Sequence, residues 1–350
     1  MSKLSRISAS QLTVLLLASR LSQCLLLTPQ STAGLCLSDR LLATALSGLF
    51  LFFLFCPTLW VLHRRGLVDT AYRYSHRAGR ALCIWYLLLC LFILCIDIIQ
   101  FYDFAEKVMT GTFSVVWLTV ALVAVAFAAS LYGIQALGRA ALPVFAFSAV
   151  CLAVFGLALI PELRAVHFPP LANQPFAAVI KAAVAELPRS AELVLIGWLY
   201  PYVNGSCMRA VGAFCGLTSL FSAAVITTSL GVLGDFAEVT AYPYYTAVSV
   251  AQIGVFQRLD MLITAVWLST FFIRLSLFCE VFVTMASRVF GRRARRWSAV
   301  LGTGFLWGFT MFIRHNRNWN AVTVVYWCAL GFTCVGLPLV MMWLKRRRMR

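Results

Sequence analysis

The chain has 350 residues, 62% hydrophobic and only 12% charged, with a formal net charge of +17. Charged residues make up about a quarter of an ordinary soluble domain, so that class is excluded. A disulfide scaffold is excluded too, because the 12 cysteines lie scattered, mostly inside apolar runs, with no Cys-x-x-Cys pair or metal-ligand spacing.

Apolar stretches of about 20 residues, the length that crosses a bilayer, recur along the whole chain. In chain order, spans are predicted at 7–29, 39–62, 81–102, 112–131 and 139–160. A second set follows at 174–203 with an interruption, 207–231, 258–287, 297–313 and 320–344. The expected fold class is therefore all-α and integral to the membrane, with about ten transmembrane helices in one domain. Repeat one covers about 7–160, repeat two about 174–344, and a basic tail follows at 345–350.

Near the start, Leu21-Ser22-Gln23-Cys24 loosely resembles a lipoprotein cleavage site. Arg20 interrupts the apolar run and Gln23 is too large for the position before the cut, so the segment reads as a retained first span. The connection from Gly231 to Gln257, with Asp235, Glu238 and Tyr242-Pro243-Tyr244-Tyr245, is too polar to span and reads as a surface amphipathic segment. Asn204-Gly205-Ser206 matches a glycosylation sequon by pattern only. The pairs Gly212 with Gly216 and Gly304 with Gly308 read as sites of close helix packing.

Lysine and arginine orient the spans, because positive charge is retained on the cytoplasmic side during insertion. About two thirds of the 29 basic residues fall on one face, in the N-terminal tail, 63–80, 288–296, the C-terminal tail, and singly at Arg139 and Arg209. Both termini are thus expected in the cytoplasm, and Arg314 and Arg317 stand against the pattern. The charge is read as a topology signal with attraction to membrane lipid headgroups, and no nucleic acid is implied.

Two polar interruptions fall at matching places in the two halves: Arg20-Leu21-Ser22-Gln23 in the first span and the stretch Glu186 to Glu192 in the sixth. Pro188 lacks an amide proton and its ring crowds the preceding turn, so it disrupts a helix at membrane depth. Broken backbone in hydrocarbon has to line a cavity or meet protein partners, which makes the two interruptions a candidate site for a small anionic group. The candidate ligand-binding residues are Arg20, Ser22, Gln23, Asp97, Ser190 and Glu192. Arg20 and Glu192 are alternatively read as a pair that closes the site. Arg274 is read as a stand-in for a coupling cation or as a structural ion-pair member, with Glu280 or Asp97 as its partner.

Several segments then carry a resemblance. Ile7-Ser8-Ala9-Ser10-Gln11-Leu12, Tyr132 to Arg139, Pro188 with Glu192-Leu193 and Pro201-Tyr202, and Pro243-Tyr244 with Gly254, Phe256, Arg258-Leu259-Asp260 and Trp267 occur in order. In these the chain resembles the B subunits of bacterial spore germinant receptors, a branch of the amino acid-polyamine-cation transporter superfamily. The resemblance implies a LeuT-like 5+5 inverted repeat with broken helices one and six, in the cell membrane or spore inner membrane. It also implies a nutrient germinant, usually an amino acid, and partner A and lipoprotein C subunits. Arg20 to Gln23 and Arg189-Ser190-Ala191 depart from the glycine-containing breaks of relatives, so ligand identity does not carry over. A proton-coupled amino acid permease and a non-binding structural subunit are the alternatives.

No enzyme is expected. The chain has no His-Glu-x-x-His, Gly-x-Ser-x-Gly, phosphate-binding loop or Gly-x-Gly-x-x-Gly, and its 4 histidines are dispersed. Neither a cofactor nor a metal is expected.

Overall fold

A computed structural model describes residues 7–26, 35–62, 66–108, 114–164, 174–251, 259–291, 293–315 and 319–341. The readings of Gly254, Phe256, Arg258, Arg317 and the basic tail lie outside these residues. A two-residue strand, β1 (Ile7–Ser8), leads into α1 (Ala9–Leu25). Ser8 caps the helix: its Oγ accepts the Gln11 amide, and Gln11 Oε1 accepts the Ser8 amide at 3.0 Å. Next come α2 (Leu37–Leu62), a short α3 (Leu67–Tyr74), α4 (His76–Val108), α5 (Val115–Ser130) and α6 (Ile134–Leu159).

The second half opens with α7 (Phe176–Glu186), a 3₁₀ segment (Leu187–Leu195) and α8 (Ile196–Leu199). Strand β2 (Val203–Asn204) then pairs in parallel with β1, Ile7 opposite Val203 and Ser8 opposite Asn204. This pins the start of the first span to the end of the sixth. The remaining helices are α9 (Cys207–Leu233), α10 (Phe236–Val239), α11 (Pro243–Val250), α12 (Asp260–Phe290), α13 (Ala294–His315) and α14 (Trp319–Gly331). A π-helical turn, Phe332–Gly336, follows α14, and helix continues to Met341.

Among the described residues, helix covers part of each predicted span. Among the described residues, six helices are long and apolar enough to cross a membrane: those starting at Leu37, His76, Ile134, Cys207, Asp260 and Val324. The others are shorter, interrupted or carry arginines at their ends. Large apolar side chains face outward on the outer helices, Trp117 at 72% exposure and Leu220 and Phe312 at 64%, which water would disfavour and lipid tails accept.

The expected break in helix one is not there. Helix α1 runs unbroken through Arg20, Leu21, Ser22 and Gln23. Leucine, arginine and glutamine are good helix formers and the stretch has neither glycine nor proline, so its polarity breaks the apolar pattern without breaking the backbone. Every residue of α1 from Leu15 to Leu25 is buried. Its polar side chains are therefore accommodated by neighbouring helices, with α9, α12 and α6 packed around it.

The expected break in the sixth span is present. The chain tightens into 3₁₀ geometry at Leu187, and Ser190 leaves helical conformation altogether at φ −97°, ψ 42°. The basic connection after α2 contains α3, a helix with Leu67, Val68 and Ala71 buried. The reading of the glycine pairs changes: among the described residues, a Cβ on Gly216, Gly304 or Gly308 would meet nothing within 4 Å, so these three are not sites of close packing there.

Candidate functional site

The site is built where α1, α4, α12 and the 3₁₀ segment meet. On α4, Asp97, Gln100, Phe101 and Phe104 follow helical spacing and form one stripe. On α12, Trp267, Phe271, Arg274 and Phe278 do the same. The aromatic parts of these stripes stack: Phe101 lies 5.6 Å from Trp267 at 6° between planes, and 5.4 Å from Phe271 at 19°. This wall fixes the depth at which Asp97 and Arg274 face one another.

Arg274 sits at the centre, 1% exposed. Its Nε donates to Asp97 Oδ2 at 2.8 Å, and its Nη1 donates to Glu192 Oε1 on the 3₁₀ segment. The guanidinium also lies 5.2 Å above the Phe278 ring. Asp97 is 2% exposed and Glu192 0%. A guanidinium fork can serve two carboxylates at once, which a lysine point charge could not do with the same geometry.

Helix α1 supplies the next layer. Ser19 Oγ donates to Glu192 Oε1 at 3.3 Å, and Gln23 Nε2 donates to Gln100 Oε1 at 3.0 Å and to Asp97 Oδ1 at 3.4 Å. Ser19, Ser22 and Gln23 share a face at helical spacing, and Arg20 is turned about 100° away from Ser19. Arg20 therefore does not pair with Glu192; its Nη1 instead donates to the carbonyl of Arg189. Ser22 Oγ donates to Ser19 O at 2.8 Å, and the Ser22 carbonyl accepts the indole Nε1–H of Trp267 at 3.1 Å.

These contacts also explain how the break survives in hydrocarbon. The 3₁₀ segment gives up regular helical bonding, and side chains from elsewhere take up its carbonyls: Arg20 at Arg189, and Tyr86 Oη at Val194, 3.3 Å away. Not every polar group is satisfied. Arg20 Nε, Ser190 Oγ and Glu192 Oε2 are buried and have no hydrogen-bond partner.

Of the residues singled out from sequence, Asp97, Glu192, Gln23 and Arg274 come together directly, with Ser22 one bond away. Arg20 and Ser190 lie on the adjoining side of the break. Glu280 does not join them: it faces Arg295 at 3.4 Å. Six residues along a helix rotate the side chain by about 240°, so Glu280 cannot share the Arg274 face. Sequence reasoning missed Ser19, Gln100 and Tyr86, ordinary polar residues in apolar helices. For Gln100 the signal was its i+3 spacing from Asp97.

Further ion pairs tie the ends of the bundle. Arg288 on α12 meets Asp69 on α3 at 2.7 Å and reaches Tyr202 Oη at 3.5 Å. Arg314 meets Glu106 at 2.7 Å and Asp103 at 3.2 Å, over the Tyr102 ring. Among the described residues no group of three or more His, Cys, Asp or Glu is placed to hold a metal ion.

A solved structure with this architecture is Mhp1, a nucleobase-cation-symport-1 family transporter, in a closed conformation with bromovinylhydantoin bound. It aligns with a TM-score of 0.65 at 14% identity, covering 98% of this chain and 94% of that one. The likeness shows the fold, a LeuT-like all-helical arrangement, which together with the six long apolar helices makes this a multi-pass membrane protein. A search for similar curated proteins found no match. The profile of the spore germination protein family matches residues 6–318, nearly the whole chain, and with it the protein belongs to the spore germination permease family.

Proposed function

We propose that the chain is the ligand-sensing membrane subunit of a spore germinant receptor, binding a nutrient germinant, an amino acid in the first place, at the break of the sixth span. One observation carries this reading: Glu192, 0% exposed, uses one carboxylate oxygen for Arg274 and Ser19 and leaves Oε2 without a partner. A buried carboxylate oxygen left unsatisfied is costly, and the deficit is removed when a ligand donor arrives. The sensor acts in the spore inner membrane with both termini cytoplasmic, beside an A subunit and a lipoprotein C subunit, which receive the response. No catalytic step is assigned to it.

The test is Glu192→Gln in spores, with protein level in the spore membrane followed by immunoblot. A shifted or abolished nutrient response at normal protein level supports the sensor. Unchanged germination on every nutrient leaves only the structural-subunit alternative. The likeness of the fold to a symporter favours one second reading, a proton-coupled amino acid permease. Uptake of radiolabelled amino acids by the chain alone in proteoliposomes would establish that reading against the first. In either case Arg274 supplies a fixed positive charge between two carboxylates, which removes the need for a sodium ion there.

A further inference from the structure

The last span holds a second irregular segment, and its cause lies in the sequence. Pro338 has no amide proton, so the Cys334 carbonyl four residues before it loses its helical donor, and the proline ring crowds that carbonyl. The backbone widens there into the π turn Phe332–Gly336. Side chains from two other spans hold the turn. Thr58 Oγ1 on α2 donates to the Cys334 carbonyl at 2.9 Å, and Trp85 Nε1 on α4 donates to Thr333 Oγ1 at 3.0 Å. Thr333 gives its own proton to the Ala329 carbonyl at 2.7 Å. The Phe332 ring stands edge-on against Trp85, with 4.8 Å between centroids and 71° between planes. Gly336 leaves room for that ring, because a Cβ there would lie 3.0 Å from Phe332 Cδ2.

The next residue of α4 holds the other irregular segment. Tyr86 Oη donates to the Val194 carbonyl of the 3₁₀ segment at 3.3 Å, and it is wedged against Gly197, where a Cβ would come within 2.5 Å of it. Adjacent residues of one helix therefore each supply a hydrogen bond to a different span, Trp85 to the last and Tyr86 to the sixth. Helix α2 also packs against both segments. A helix shifts and rotates as a rigid element, so α4 cannot move away from one bond without disturbing the other.

We propose that Trp85 and Tyr86 couple the break of the sixth span to the π turn of the last span, so that a rearrangement at the break is passed on to the last span. The two-state element is the turn itself. Held by Thr58 and Trp85, it is π-helical; released, it returns to proline-kinked α-helical spacing. That change of register by one residue rotates the segment after the turn by about 100°. A small displacement at Val194 is thereby converted into a discrete change in another span. The coupling does not depend on what the break binds, or on whether the chain senses or transports.

The experiment is hydrogen–deuterium exchange, read by mass spectrometry, on the purified full chain in lipid nanodiscs. Two isosteric variants each remove one hydroxyl, Tyr86→Phe at the break and Thr58→Val at the turn. Tyr86→Phe is expected to raise amide exchange at 332–341 by about threefold or more. Thr58→Val is expected to raise exchange at 187–195 by a similar factor, because coupling between two sites is reciprocal. Peptides from α6 should keep wild-type exchange in both. In a Trp85→Phe background, adding Tyr86→Phe should leave 332–341 as it was, since the bridge is already cut.

Exchange that rises only beside the altered hydroxyl overturns the coupling, and so does a rise that spreads equally to α6. A response in one direction without the other also overturns it. An effect of Tyr86→Phe on the last span that is the same with or without Trp85 would route the coupling through α2 and overturn the role of α4. If Tyr86→Phe yields no folded protein, Thr58→Val decides alone, by the exchange at 187–195.

Discussion

Arg274 Nε and Asp97 Oδ2 meet at 2.8 Å across 177 residues of sequence, between side chains that are 1% and 2% exposed. With Glu192 as the third member, this contact joins the third, sixth and eighth spans at one point. A buried ion network is weak evidence for stability, because desolvation offsets much of the attraction, but removing one partner strands the others.

Arg274→Gln is therefore expected to destabilise the protein by about 3–5 kcal/mol, since two carboxylates lose their shared cation. Arg274→Lys should recover part of this, as it restores charge without the fork. The combination Asp97→Asn, Glu192→Gln, Arg274→Met should lie closer to wild type than Arg274→Gln alone. Thermal unfolding of the four proteins in one detergent checks the order. A triple variant less stable than the single one would show that the network contributes net stability.

Trp267 does two things, stacking on Phe101 and donating to the Ser22 carbonyl. Trp267→Phe should keep the stack and lose the hydrogen bond, at about 1 kcal/mol, whereas Trp267→Ala should cost about 3–5 kcal/mol. Chemical denaturation separates the two. Equal losses for both variants would mean that the indole N–H dominates.

Gly197 in α8 lets two neighbours close on the sixth span. A Cβ there would lie 2.5 Å from Tyr86 Oη and 2.7 Å from Leu67 Cδ1. Gly197→Ala should displace Tyr86 from the Val194 carbonyl and cost about 1–3 kcal/mol. Tyr86→Phe, which removes the hydroxyl that crowds the site, is expected to relieve most of that loss. A fully additive double variant in thermal unfolding would refute the contact.

The Arg288–Asp69 pair, 26% and 46% exposed, is of a different kind. Asp69→Asn should change stability by no more than about 1 kcal/mol, and the difference should shrink in high salt, because exposed pairs are screened. A loss as large as that of Arg274→Gln would mean that α3 holds the bundle shut far more firmly than one exposed pair accounts for.

Of the two basic residues that stand against the charge bias, Arg314 lies among Asp103, Glu106 and Tyr102 at the end of α4, so its charge is locally balanced. Nothing in the sequence joined it to residues more than 200 positions earlier.

Much of the architecture was written in local pattern. Apolar runs long enough to cross a bilayer locate the helices, and Pro188 locates the interruption of the sixth span, because span length and proline geometry act over a few residues. The same locality misleads at Arg20 to Gln23, where the hydrophobic pattern breaks and the backbone does not. Polarity tells that a helix needs partners, and only surroundings tell whether it finds them.

Which carboxylates Arg274 meets was beyond the sequence. Residue type and depth offer Glu280 and Asp97 to Arg274, and set Glu192 against Arg20. The selection came from the rotation of each helix about its axis and its depth against the Phe101–Trp267–Phe271 wall, which turned Glu280 towards Arg295 and Arg20 towards the backbone of Arg189. The sequence by itself determined a membrane protein of this family with a broken sixth span, because those features follow from short-range energetics. Only the tertiary structure decided that Arg274 meets both Asp97 and Glu192, because packing between segments far apart in the chain sets which side chains share a sealed space.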